Sequence, residues 1–144
     1  MWLFRTVSAM FIATLFVPAS PIVARAEDPK AAAVRFYQEY MGSGVALKPF
    51  GDRWFTSRFR SSMAPWDNDP LQKPIEGNPI LPWKNWDMAW RHKLQADILQ
   101  VTPERALVLI TFAKDEQGRP IARLVNFEKV NGAWRVDDVA APPH

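Results

Sequence analysis

Few residues in this chain could perform chemistry, and their spacing limits them further. Cysteine is absent, and the histidines number two, His92 and the terminal His144. A nucleophilic serine would therefore have to share His92 as its base, and Ser43 lies in Gly42-Ser43-Gly44, without the Gly-x-Ser-x-Gly spacing of a nucleophile elbow. Asp67-Asn68-Asp69 opens like a calcium loop, but Leu71 fills the next ligand position and no closing glutamate follows. Pro65 and Pro70 make it a braced polar turn instead. No metal ligand set, phosphate-binding glycine loop or aromatic-plus-basic RNA motif is present, so no cofactor is expected. His92 has no second titrating group beside it in sequence and reads as a residue at a strand edge.

What remains are carboxylates and aromatic rings. Strand alternation over Trp134–Val139 puts Trp134, Val136 and Asp138 on one face, and Arg135 and Asp137 on the other. If Trp134 faces inward, Asp138 points into the interior, where Tyr37 or Tyr40 could partner it as a general base or acid. Trp83, Trp86 and Trp90 recur at spacings of three and four, which on a helix is one stripe. Such a stripe serves core packing first, and an aromatic platform for a ligand or partner second. Arg53, Arg58 and Arg60 read first as a solvated helix face, then as a contact for an acidic partner.

These residues need positioning elements, and the first segment is not among them. Arg5, the apolar run Met10–Val17 and the small-x-small site Ala24-Arg25-Ala26 form a cleavable secretory signal over residues 1–26. The run is too short to span a bilayer, which takes about 20 apolar residues, and without cysteine there is no lipoprotein anchor. The whole chain has 18 Lys+Arg against 15 Asp+Glu. Cleavage removes Arg5 and Arg25 and leaves 16 against 15, a nearly neutral domain that argues against nucleic-acid binding. Export, the absence of disulfides and the absence of an Asn-x-Ser/Thr acceptor fit a Gram-negative periplasm or secretion from it. Residues 27–144 suffice for one core that buries about two thirds of the unfolded surface.

Asp28 and Pro29 start a helix in which Ala33, Phe36, Tyr37, Tyr40 and Met41 form one apolar stripe, and Gly42 and Gly44 stop it. A shorter helix is expected within Asp52–Met63, with Thr56 or Ser57 able to cap a break inside it. Five prolines between Ala64 and Trp83 predict a long loop. Leu94–Val101, Ala106–Lys114, Ile121–Val130 and Trp134–Val139 read as strands. Asn131-Gly132 marks a tight hairpin, because both turn positions need positive φ. Ala106–Ala113 is apolar on both faces, so it should be central and covered on each side. The fold class is α+β, with N-terminal helices packed on a curved antiparallel sheet of about four strands.

Three segments carry a family resemblance. Val34-Arg35-Phe36-Tyr37-Gln38-Glu39-Tyr40, Trp54-Phe55-Thr56-Ser57-Arg58-Phe59 and Trp134-Arg135-Val136-Asp137-Asp138-Val139 resemble the first helix, second helix and closing strand of small exported bacterial members of the nuclear transport factor 2-like, cystatin-like superfamily. That resemblance implies a cone fold. It admits isomerases and dehydratases, ligand carriers, and domains that only bind proteins, including immunity proteins against secreted toxins. The leading expectation is a non-enzymatic exported binding domain for a protein or a small apolar ligand, with self-association as a dimer open to it. Tyr37, Tyr40, Trp86, Trp90, Trp134 and Asp138 are its pocket or partner candidates. The alternative is a small cavity enzyme of isomerase or dehydratase type using buried Asp138 with Tyr40, or His92. N-terminal sequencing of exported protein should begin at Glu27; retention of Met1 would contradict the signal assignment.

Overall fold

The computed structural model describes residues 27–42, 47–68, 77–82 and 87–143. Residues 1–26, expected to form a signal sequence, lie outside the described residues, as do Ser43, Trp83, Trp86 and residues 69–76 of the proline-rich stretch.

Helix α1 spans Pro29–Gly42. The Asp28 carboxylate accepts the Lys30 amide at 2.9 Å and its carbonyl accepts Ala32 N at 2.9 Å, so the cap and the first-turn proline act as expected. Ala32, Ala33, Phe36, Tyr37, Tyr40 and Met41 are buried as one stripe. Phe36 is the densest point, with the rings of Tyr37, Tyr40, Phe50, Trp54 and Phe55 around it at 4.9–6.3 Å. Tyr37 carries the contact on to the sheet, edge-on to Phe112 at 4.9 Å.

The expected single helix within Asp52–Met63 is two helices, and the first starts earlier. Helix α2 covers Leu47–Trp54 and α3 covers Ser57–Ser62. Pro49 falls in the first turn of α2, where its missing N–H costs nothing. The break has a tertiary cause. Phe55 forms a parallel bridge to Val136, and Thr56 N donates to the Val136 carbonyl at 2.9 Å. Thr56 then caps α3, its hydroxyl accepting Phe59 N at 3.2 Å. Gly51 permits the crossing, since a Cβ there would stand 2.6 Å from the Phe55 ring.

Strands β1 (Gln95–Val101), β2 (Arg105–Lys114), β3 (Pro120–Val130) and β4 (Ala133–Ala140) form one antiparallel sheet in sequence order. Asn131 and Gly132 both have positive φ, 50° and 79°, as the hairpin requires. The inner face, carrying Val108, Ile110, Phe112, Val125, Phe127, Trp134, Val136 and Val139, joins the helices in a single core. The proline-rich stretch contributes more than a loop. Ala64–Trp66 forms a 3-10 helix, and Ile80 and Leu81 are buried core residues.

One expectation about β2 is overturned. Its burial alternates along the strand, and Leu107 and Leu109 on the second face are only half-buried. All three helices lie on the inner side, and among the described residues no element covers the outer one. Phe36→Ala should lower stability by about 3–5 kcal/mol, read by denaturant unfolding; a loss below about 1 kcal/mol would mean the stripe faces solvent.

Candidate interaction surface

The interior is the place to look for an enzyme's carboxylate, and it is already occupied. Tyr37 is fully buried and donates its hydroxyl to the Ile80 carbonyl at 2.9 Å. Burial pushes its phenol pKa far up, which makes it a fixed strut and a poor proton donor. The Tyr40 hydroxyl accepts from Asn78 Nδ2 at 3.3 Å. Both tyrosines thus turn toward residues 78–80. Arg123 reinforces this anchor, its Nε donating to the Pro79 carbonyl at 3.0 Å, with burial lowering its pKa.

Asp138 does not join them. A bulge interrupts β4, with Asn126 paired to Asp138 but Phe127 paired to Val136, so Asp137 is the extra residue. The bulge reverses the alternation: Trp134, Val136 and Val139 face the core, and Asp138 turns to the outer face. There its carboxylate accepts the Val139 amide at 3.0 Å. The expected pairing of Asp138 with Tyr37 or Tyr40 is therefore corrected.

The other singled-out residues have structural settings. Trp90 is buried with its ring 5.9 Å from Phe112, and Trp134 is buried, its indole donating to the Glu27 carbonyl at 2.7 Å. His92 is exposed at the end of the 3-10 helix Met88–His92, and among the described residues its ring has no ion-pair or hydrogen-bond partner. Arg53 pairs with Glu39, Arg58 with Asp137, and Arg60 with both Asp52 and Asp67. None of the three is simply a solvated charge.

The bulge itself is held by this arginine layer. Arg58 grips Asp137 through Nη2–Oδ2 at 2.7 Å and reaches the Asp137 carbonyl at 2.8 Å, while the Thr56 hydroxyl donates to Oδ1 at 2.8 Å. The link between α2 and α3 thus covers the β4 edge. The β1 edge is different. Among the described residues no further strand pairs with it, and Ile98, Leu99 and Val101 on it are 39%, 50% and 57% exposed. Natural sheets usually shield such an edge with charge or a covering element.

From that edge an open surface continues across the outer face. Leu109 and Leu124 sit side by side in register, with Ala140 beyond Leu124 and Asp97 beyond Leu109. Next to them a groove of about 430 Å³ is lined by Gln100, Arg105, Leu107, Asn126, Asp138 and Arg58, among others. Partly buried leucines ringed by amides and opposite charges have the apolar centre and polar rim that protein contacts commonly show. Sequence reasoning missed this surface, although the doubly apolar pattern of β2 was its signal.

No protein family and no characterised protein matches the sequence. The fold does match solved structures. A chain in the native type VI effector–immunity complex Tae3–Tai3 from Ralstonia pickettii superposes with a TM-score of 0.59 at 20% identity, over 81% of this chain and 96% of that one. The selenomethionine form of the same complex gives a TM-score of 0.59 at 19% identity, over 81% and 98%. At these identities the likeness is one of fold.

The Arg58 and Thr56 bonds hold the Asp137 carboxyl below the usual carboxylate range against the opposing effect of burial. Such a group stabilises the fold above its unfolded pKa, about 3.9, and that contribution is lost as pH falls through the lower folded value. Asp137→Asn should therefore melt earlier than the parent at pH 7, and the gap should close in acid. An equal gap at both pH values would show that the carboxylate charge is not what holds the bulge.

Proposed function

We propose that this chain is an exported, non-enzymatic immunity-type protein that neutralises a type VI effector by binding it, in the periplasm of the cell that makes it. The observation that carries the reading is the uncovered outer face of the sheet, an apolar strip continuous with an unpaired edge strand in a domain whose interior is already filled. A protein partner supplies the missing layer. The fold shared with a chain of an effector–immunity complex supports the same reading, as does the resemblance to the nuclear transport factor 2-like superfamily, whose members include immunity proteins. The secretory signal read in residues 1–26 supports the same compartment, where an injected effector would act. No described helix is long and apolar enough to cross a membrane.

The enzyme alternative loses its main physical support. It needs a carboxylate and a tyrosine converging on an enclosed space, and Asp138 lies on the opposite side of the sheet from Tyr37 and Tyr40.

Contact-dependent competition tests the proposal. A strain lacking the gene should be outcompeted by its parent on a solid surface, and only when the parent's type VI apparatus is intact. Restoring the gene should rescue it, whereas a Leu109→Asp form that folds normally should not. Equal competition by the deletion strain, or full rescue by Leu109→Asp, would contradict the proposal.

A further inference from the structure

The helical side of the molecule carries a second surface, unlike the first in character. A trough follows the exposed flank of α1, with Arg91 at its C-terminal end, Arg35 and Arg53 along its middle, and Arg135 and Trp134 beside its N-terminal end. Lys129 adds a fifth cation, its ammonium 4.5 Å above the Trp134 ring. Of the carboxylates beside these five cations, Glu27 and Glu39 are already engaged, and Glu128 stands opposite Arg135 across the β3–β4 ladder. Glu27 takes Arg35 at 2.7 Å, and Glu39 ties together Arg35, Arg53 and the Trp54 indole.

That arrangement does more than leave an excess of positive charge. Arg35 lies over the Trp54 ring at 4.7 Å, so its head group is held between a stack and two carboxylates. Arg91 folds over the end of α1, where a Cβ on Gly42 would stand 2.6 Å from its guanidinium. Neither Arg91 nor Arg135 has a carboxylate partner among the described residues, and Arg91 Nε is buried without a hydrogen-bond partner. Preorganised guanidinium groups lose little freedom on binding, and they match carboxylates in geometry as well as charge.

We infer that this trough is a docking track for an extended acidic segment of a protein partner, its carboxylates binding Arg53, Arg91 and Arg135. The helix of 14 residues is about 21 Å long at 1.5 Å per residue, a length that about six residues of extended chain would cover. Charge complementarity selects the occupant. Glu39 in the middle of the track would repel a continuous phosphate backbone, whereas a peptide can place neutral side chains there. The inference rests on the reading of the chain as a protein-binding domain, but its test needs no effector and no competing cells.

The probe is a short synthetic peptide of alternating glutamate and serine, titrated into the mature protein and followed by backbone amide shifts. Shifts should concentrate along α1, around Arg91 and in the β3–β4 hairpin, and the affinity should fall about tenfold as salt is raised from about 20 to about 200 mM. Arg53→Gln combined with Arg135→Gln should weaken binding by about tenfold, while Lys93→Gln with Lys114→Gln should leave it within about twofold. Thermal melts confirm that each variant is folded, and the shift map of the parent stands without them. No binding at low salt, shifts confined to other surfaces, equal weakening by both variant pairs, or tighter binding of a single-stranded oligonucleotide than of the peptide would each overturn the inference.

Discussion

Without cysteine, the contact between α1 and the inner face of the sheet has to hold the domain together, and Phe36 is its densest point. The ring lies among aromatic neighbours from α1, α2 and the α2–α3 link, and the adjacent Tyr37 meets Phe112 of β2. Large rings bury much area for few rotatable bonds, which suits a core that must form without cross-links. The Tyr37 hydroxyl then reaches the Ile80 carbonyl and draws the end of the proline-rich stretch into the same core. One helix face therefore fixes the sheet, the second helix and the stretch that fills the interior.

With α1, α2 and α3 all on one side, no described element covers the other. The β4 edge is closed by the Phe55–Val136 bridge and the Arg58–Asp137 pair, but β1 keeps an open edge with three exposed apolar side chains. The outer face keeps its leucines only partly exposed. Antiparallel sheets can leave one face solvated, yet that face is then usually polar. Here it is apolar along its centre, a pattern that a permanently solitary domain would not need. The residues that hold the domain together, Phe36 and its neighbours, are thus separate from Leu107, Leu109 and Leu124, on which the proposed contact rests.

Much of the fold was legible because its signals are local. Asp28 and Pro29 start α1 where capping chemistry places them, and every strand boundary falls within a residue of the expected one. The Asn131-Gly132 turn needs nothing beyond its own two residues. What escaped depends on partners far away in sequence. Pro49 and Gly51 are poor helix formers, and α2 exists because Leu47, Phe50 and Trp54 are buried by the rest of the molecule. The β4 bulge could not be read from alternation, since Thr56 and Arg58, some eighty positions earlier, hold the extra residue out. With the bulge went the face of Asp138, and with that the expected pairing of Asp138 with Tyr37 or Tyr40. The doubly apolar β2 was expected to be covered on both faces, but among the described residues only its inner face is covered.

The central claim is that a different protein covers the outer face of the sheet. A photo-crosslinking amino acid placed at position 109, in cells grown in contact with type VI-active kin, tests it most directly. The account predicts a discrete adduct whose mass differs from twice that of the chain, absent when the crosslinker replaces exposed Lys48 on α2. No adduct from position 109, or an adduct that proves to be a second copy of the same chain, would contradict it.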